Sequence, residues 1–264
     1  MMGDEAIYVA ASGALVQEAR LEVLSNNLAN INTIGFKEDR AVFSNYLPGD
    51  QVRITSTDPE LEFTGDPETL FPYLQSSTQV QFEGTQTSFE QGQLKMTGNP
   101  LDFAVSGNGF FCVEDVDGTT KYTRNGTFSL NEKGNLVTQN GLIVLGRNGN
   151  EITLEGSDFS VDERGNISAD GVHTDTLKIV DFDKPYSLIK AGDTLFSPVN
   201  DTVSEITPEG FNIRQGFTEL SNVNPIKIMT EMIEVHRAFE SYQKIMRTLD
   251  ETVSESLNKI GSPV

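Results

Sequence analysis

The chain has 264 residues, enough for one sizeable domain or two small ones, and its 37% hydrophobic content suits an ordinary buried core. With 19 basic against 39 acidic side chains its formal charge is −20, which repels phosphate backbones and anionic lipid and excludes nucleic acid as an expected partner. A single cysteine, Cys112, excludes an internal disulfide framework, and no run of about 18 apolar residues offers a transmembrane segment.

The charge is uneven. Residues 1–40 hold three basic and six acidic side chains and residues 221–264 five and six, which leaves −16 for the middle. Near the start stand Asp4 and Glu5 instead of a basic stretch followed by an apolar one, so no cleavable secretory signal is expected, and by ordinary rules the chain would be cytoplasmic.

Residues 1–35 read as a helix. Ile7, Ala10, Ala14, Leu21, Leu24, Leu28 and Ile31 recur in steps of three and four with only Gln17 interrupting, and Gly35 supplies the stop. Residues 36–91 are rich in Thr, Ser, Gln, Gly and Pro, with Phe63, Phe71, Tyr73, Phe82 and Phe89 spaced among them, which predicts extended, turn-punctuated chain and edge strands.

Residues 92–220 alternate short β-prone stretches with Asp117-Gly118, Asn125-Gly126, Asn140-Gly141, Asn148-Gly149 and Asp170-Gly171, the strongest local hairpin signals, and so predict an antiparallel all-β domain. Within it Phe128-Ser-Leu-Asn-Glu-Lys-Gly-Asn-Leu returns as Phe159-Ser-Val-Asp-Glu-Arg-Gly-Asn-Ile, which reads as one hairpin design used twice, with Gly134 and Gly165 at positive φ. Cys112, in the apolar stretch 109–113, reads as a small buried strand residue.

Residues 221–264 give the clearest signal. Ile228, Met232, Val235, Phe239, Tyr242, Met246, Leu249, Val253 and Ile260 keep a four–three spacing broken only by Ser256, a coiled-coil seam. Asn224-Pro225 marks the helix start, and from Pro225 to Ile260 it would run roughly 50 Å at 1.5 Å per residue. Such a seam needs a second long helix, and residues 4–31 are the only other candidate. The expected class is therefore α+β: long N- and C-terminal helices pairing as a coiled coil, with a central antiparallel all-β domain.

Catalytic signals are sparse. His173 and His236 are the only histidines, and neither has a nucleophile or ligand cluster nearby in sequence; no metal, cofactor or small-molecule substrate is expected. Asp115/Asp117 and Asp181/Asp183 could be proposed as a paired-carboxylate glycosidase site but fit solvated strands and turns better. Asp115-Val-Asp117-Gly118 lacks the remaining ligands of a calcium loop, and Gly107-Asn108-Gly109 lacks the Lys-Ser/Thr of a phosphate loop. The amides Asn26, Asn27 and Asn30 share one helical turn, where they either bond laterally to a neighbouring helix or form a solvated face.

Several stretches resemble one family. Ala11-Ser-Gly-Ala, Ser25-Asn-Asn-Leu-Ala-Asn-Ile-Asn-Thr, Gly35-Phe-Lys, Gln91-Gly, Thr97-Gly-Asn-Pro-Leu-Asp-Phe-Ala-Val, Gly109-Phe-Phe, Tyr122-Thr-Arg-Asn-Gly-Thr-Phe, Ser221-Asn-Val-Asn, Met232-Ile and Arg237-Ala-Phe-Glu are similar to the flagellar basal-body rod protein family of the FlgF/FlgG type, and most of all to its proximal-rod branch. The resemblance implies a non-enzymatic subunit of the periplasmic rod. It would be exported unfolded by the flagellar export apparatus without a cleaved signal, and would assemble with copies of itself and other rod proteins. On this reading the assembly interface comprises Ile7, Ala14, Leu21, Leu24, Asn26, Asn27, Leu28, Asn30 and Ile31 of the first helix with the nine apolar seam residues of the last. A distal-rod subunit, a phage-tail-like structural protein and a secreted glycan-acting enzyme are the competing expectations.

Overall fold

A computed structural model describes residues 2–46, 79–154, 159–200 and 202–260, and the side chains of 2–6, 45–46, 79–81, 253 and 256–260 fall outside that description. The chain divides into two compact units: Met1–Asn26, Arg40–Gln86 and Ile226–Val264 form one, Asn27–Asp39 and Thr87–Pro225 the other.

The first unit is built on two helices, α1 (Met2–Ala29) and α2 (Pro225–Ile260). α2 begins at the proline that the sequence marks and runs 36 residues. α1 ends at Ala29, six residues before Gly35. Past it Asn30 N–H bonds Asn27 O and Ile31 N–H bonds Leu28 O, three residues back, while Thr33 Oγ1 donates to Asn30 Oδ1, so a series of tight turns replaces the last helical turn expected. The described parts of the Pro-rich stretch form the two-stranded pair β1 (Asp39–Tyr46) and β2 (Gln79–Thr87), whose Phe43 and Phe82 rings stand 5.6 Å apart. Of the other aromatics read there, Phe89 packs against Phe110, Tyr186 and Phe196, and Phe63, Phe71 and Tyr73 lie outside the described residues.

The second unit is the β domain. β3 (Leu94–Met96), β4 (Phe103–Ser106), β5 (Phe110–Glu114), β6 (Thr120–Thr123), β7 (Phe128–Leu130), β8 (Leu136–Thr138) and β9 (Ile143–Val144) come first. β10 (Phe159–Val161), β11 (Asn166–Ala169), β12 (Val172–Thr176), β13 (Ile179–Val180), β14 (Leu188–Lys190), β15 (Leu195–Pro198), β16 (Asn212–Gln215) and β17 (Phe217–Glu219) follow. The largest sheet has the order β14-β15-β6-β5-β9-β8-β7 with β13 also on β5; β10-β11-β12 form a second sheet, and the late strands return to the early ones as β16–β4 and β17–β3, all antiparallel. β5 is buried on both faces. By the two-residue period of a strand Phe111 and Val113 enter one apolar cluster, with Phe103, Leu136 and Ile167, while Phe110 and Cys112 enter another, with Phe182 and Phe196. Burying each such phenylalanine contributes about 1.5–3 kcal/mol.

The repeated segment is one structure made twice. In β7–β8 Asn131 N–H bonds Asn135 O and Gly134 N–H bonds Asn131 O; in β10–β11 Asp162 and Asn166, then Gly165 and Asp162, do the same. The side chains of Asn131 and Asp162 accept equivalent backbone N–H bonds, and Gly134 and Gly165 sit at φ 78° and 84°. Four of the five X-Gly signals put glycine at positive φ as expected. Asn125-Gly126 does not: a Cβ on Gly126 would run into the Phe103 carbonyl oxygen, so this glycine permits the close passage of two backbones, and Phe103 N–H donates to Gly126 O.

Candidate functional site

Two features belong to the chain's ends. The first lies in the β unit, where the segment after α1 meets β17. Glu219, the last residue of β17, is fully buried and turns its carboxylate inward. Oε1 takes Lys37 Nζ at 2.6 Å and Gly92 N–H at 2.8 Å, and Oε2 takes Arg124 Nη1 at 3.2 Å. Lys37 is fully buried and Arg124 is 3% exposed, so two cations share one carboxylate out of water. Burial pushes the Lys37 amine down from its ordinary range, and the Glu219 carboxylate opposes that shift. Lys37 also donates to Glu90 O at 2.7 Å, and the Arg124 guanidinium stands 5.1 Å over the Phe110 ring.

Around this ion cluster the main chain is held by amides. Asn27 is fully buried and bonds Asp39 from both sides: Nδ2 donates to Asp39 O at 2.7 Å and Oδ1 accepts Asp39 N–H at 2.9 Å. Asn222 Oδ1 accepts Glu38 N–H at 2.7 Å and its Nδ2 donates to Ser88 O at 2.9 Å. Gly35 N–H donates to Glu219 O, and at φ 71° a Cβ there would strike the Arg124–Asn125 backbone. Lys190 completes the clasp, reaching Asp39 Oδ2 and Lys37 O at 2.7 Å each, with its ammonium 3.9 Å above the Phe36 ring. Asn27, expected at a lateral interface, therefore bonds within its own chain.

The second feature is the helix surface of the first unit. Of the residues expected at the interface, Ala14, Leu24, Ile228 and Val235 are buried; Ile7, Leu21, Met232, Phe239, Tyr242, Met246 and Leu249 are half-buried. Leu28, Asn30 and Ile31 are half-buried in the β unit and Asn26 is exposed, while the side chains of Val253 and Ile260 lie outside the described residues. Gln17, at the polar interruption, buries an Oε1 that accepts no hydrogen bond. A second apolar stripe was not read from the sequence: Ile226, Met229 and Ile233, three and four apart on the side of α2 away from the seam, are 77%, 52% and 56% exposed. α1 likewise exposes Tyr8 and Leu15, at 66% and 65%.

Three of the residues weighed for catalysis have other partners. Asp181 Oδ1 accepts the Tyr186 hydroxyl at 2.9 Å, Asp115 Oδ1 caps the Val116 N–H in the β5–β6 turn, and His236 lies on exposed helix 3.4 Å from Glu240. Burial pushes the Cys112 thiol up to about 12. Among the described residues no group of three or more His, Cys, Asp or Glu could hold a metal ion, and no helix is long and apolar enough to cross a membrane.

The most elaborate buried polar cluster described fastens the chain to itself, an architectural role. Three family models match it: flagella basal body rod protein over residues 7–37, the flagellar hook protein FlgE/F/G D1 domain over 104–169, and the flagellar basal body rod FlgEFG protein C-terminal over 214–259. The flagellar basal-body rod protein FlgF of Caulobacter vibrioides is 31% identical over 260 residues, 98% of each chain. FlgG of Agrobacterium fabrum is 34% identical over 94% of this chain and 97% of its own, and FlgG of Caulobacter vibrioides 31% over 94% and 96%. The chain belongs to the flagellar basal-body rod protein family, of FlgF/FlgG type, and is a structural rod protein. Lys37, Arg124 and Glu219 fall one in each of the three matched segments, so the ion cluster joins all three within this chain.

Proposed function

We propose that the chain is a subunit of the proximal rod, exported unfolded and without a cleaved signal, which polymerises in the periplasm through α1 and α2 and carries torque along a core of paired helices. The exposed stripe Ile226–Met229–Ile233 carries this reading. Three large apolar side chains on one face of a long helix forfeit burial in the single chain that a neighbouring copy restores. The unpartnered Gln17 Oε1 in the α1 seam supports it as well, since a buried acceptor left alone is unfavourable and a neighbour's donor would satisfy it. On this reading residues 1–35 and 221–264 make the rod core, and the acidic domain over 92–220 faces outward, where its charge limits lateral association. Identity is the same for the two Caulobacter relatives; the alignment that covers 98% of this chain, against 94%, supports the FlgF branch.

The test is a pair of substitutions, Met229→Asp and Ile233→Asp, in cells. The monomer should keep its melting temperature while basal bodies seen by electron microscopy lack a completed rod. Intact rods in the doubly substituted strain would refute assembly through this face. Protease should trim both ends of the dilute monomer and spare a core near residues 27–225, which keeps the buried Asn27 and Lys37; full-length protection would count against coupled ordering and assembly. Rods of cells lacking this chain should stop within the proximal segment; a rod complete through its proximal segment and missing only its distal part would favour the FlgG branch.

A further inference from the structure

α1 carries its smallest side chains together, Ala10-Ala11-Ser12-Gly13-Ala14, and Ala10 and Ala14 are buried. Glycine inside a helix is the least favourable residue after proline, and Gly13 is not at positive φ, so backbone freedom does not account for it. What accounts for it is Tyr242. A Cβ on Gly13 would lie 2.6 Å from Tyr242 Cε1, 2.7 Å from Cζ and 3.1 Å from Cδ1, so the ring occupies the volume that any other side chain would fill.

The contact also sits at matching depth on the two helices. Gly13 lies 16 residues before the end of α1 at Ala29, and Tyr242 lies 17 after the start of α2 at Pro225, about 24 and 26 Å at 1.5 Å per residue. Asn27 and Asn222 both bond the 36–39 segment, so those two helix ends start from one place and the helices run antiparallel between there and the contact. One turn to either side on the same α1 face stand Ala10 and Gln17, each with a Cβ where the ring would have to go.

We infer that Gly13 and Tyr242 are the register lock of the terminal helix pair: the notch at Gly13 admits the Tyr242 ring at one axial stagger, and that stagger fixes where the exposed stripes of α1 and α2 stand for neighbouring copies. The inference rests on the reading that these helices drive assembly. A shift by one turn would move Tyr8 and Leu15 about 5 Å along α1 relative to Ile226, Met229 and Ile233, so copies built in the wrong register would present mismatched faces.

Full-length chains carrying Gly13→Ala, Tyr242→Leu and both changes test it, with polymer yield read by sedimentation and microscopy and monomer folding by thermal melts. Alanine is the better helix former, so a loss of assembly in Gly13→Ala runs against propensity. The expected loss is tenfold or more. Leucine lacks the two ring atoms nearest the notch, so the double variant should return to within about threefold of Tyr242→Leu alone. Wild-type yield from Gly13→Ala, or a double variant that multiplies the two single losses, would overturn the lock while leaving helix-driven assembly standing. If the wild-type chain itself does not polymerise, that reading fails separately, and hydrogen exchange in the monomer decides the lock. Gly13→Ala should then speed exchange in both helices and the double variant restore it; unchanged exchange overturns it.

Discussion

Replacing Glu219 by glutamine changes one atom and leaves two buried cations facing a neutral amide. In the native chain Glu219 Oε1 holds Lys37 Nζ and Gly92 N–H, while Oε2 holds Arg124 Nη1. Glutamine keeps one carbonyl oxygen, which serves Lys37 and Gly92, but turns an N–H₂ donor toward the Arg124 guanidinium, itself a donor. With Lys37 and Glu219 fully buried and Arg124 3% exposed, solvent screening does not soften the loss, and removing one partner from such a cluster is worth about 3–5 kcal/mol. That is a large part of the roughly 5–15 kcal/mol that holds a domain folded, and at 2–4 °C per kcal/mol it lowers the melting temperature by roughly 6–20 °C. The assay is urea and thermal unfolding followed by circular dichroism, since the chain has no tryptophan. Replacing the whole cluster, Lys37→Met with Arg124→Leu and Glu219→Leu, should recover most of the loss, because no charge is then left buried alone. A Glu219→Gln protein within about 1 kcal/mol of wild type at unchanged denaturant slope would refute the claim that the cluster holds the junction closed.

Three further outcomes are expected. Asn27→Ala, which removes both side-chain bonds to Asp39 at a fully buried site, should destabilise the chain by about 2–4 kcal/mol, measured by chemical denaturation. Gly134→Ala and Gly165→Ala each force a Cβ into the left-handed region at a cost of about 1–2 kcal/mol, and Gly134→Ala should be the worse, since its Cβ would meet Leu154 O at 3.2 Å whereas the nearest atom to that of Gly165 is Leu177 Cβ at 3.4 Å. Cys112 should resist alkylation until the protein unfolds. Because its thiol is held at about 12 against an ordinary 9.0, it contributes stability in full below pH 9 that is lost as the pH rises to 12, at about 1.4 kcal/mol per pH unit; Cys112→Ala should be flatter by that slope.

The sequence disclosed what depends on neighbours along the chain. The helix α2 begins at Pro225 because proline tolerates the first helical turn, and the Asn131 and Asp162 turns could be read because a short polar side chain and a glycine three residues later close a local ring. Where the same dipeptide answered a distant demand the reading failed: Asn125-Gly126 looks like a hairpin turn, but its glycine makes room for the Phe103 carbonyl. Glu219 was not singled out at all. It lies 182 residues from Lys37, and no local pattern separates a carboxylate that will be buried from the many on this acidic surface. The resemblance drew attention to Gly35-Phe36-Lys37 and Tyr122-Thr123-Arg124, and the structure supplies the reason these stretches belong together. The Ile226–Met229–Ile233 stripe went unseen because a strong heptad seam on one side of a helix masks a shorter one behind it.

The position of Glu219 so late in the chain also sets an order of events. A polypeptide emerging amino end first brings out Lys37 and then Arg124, and neither has a carboxylate to bury against until β17 follows nearly a hundred residues after the second of them. Until that moment closing the domain would maroon two positive charges, so the earlier segments are discouraged from settling into a compact but unfinished shape. A chain stopped at residue 218 should therefore stay open to protease where one stopped at 224 resists it, and a protein built this way remains threadable until almost all of it has arrived.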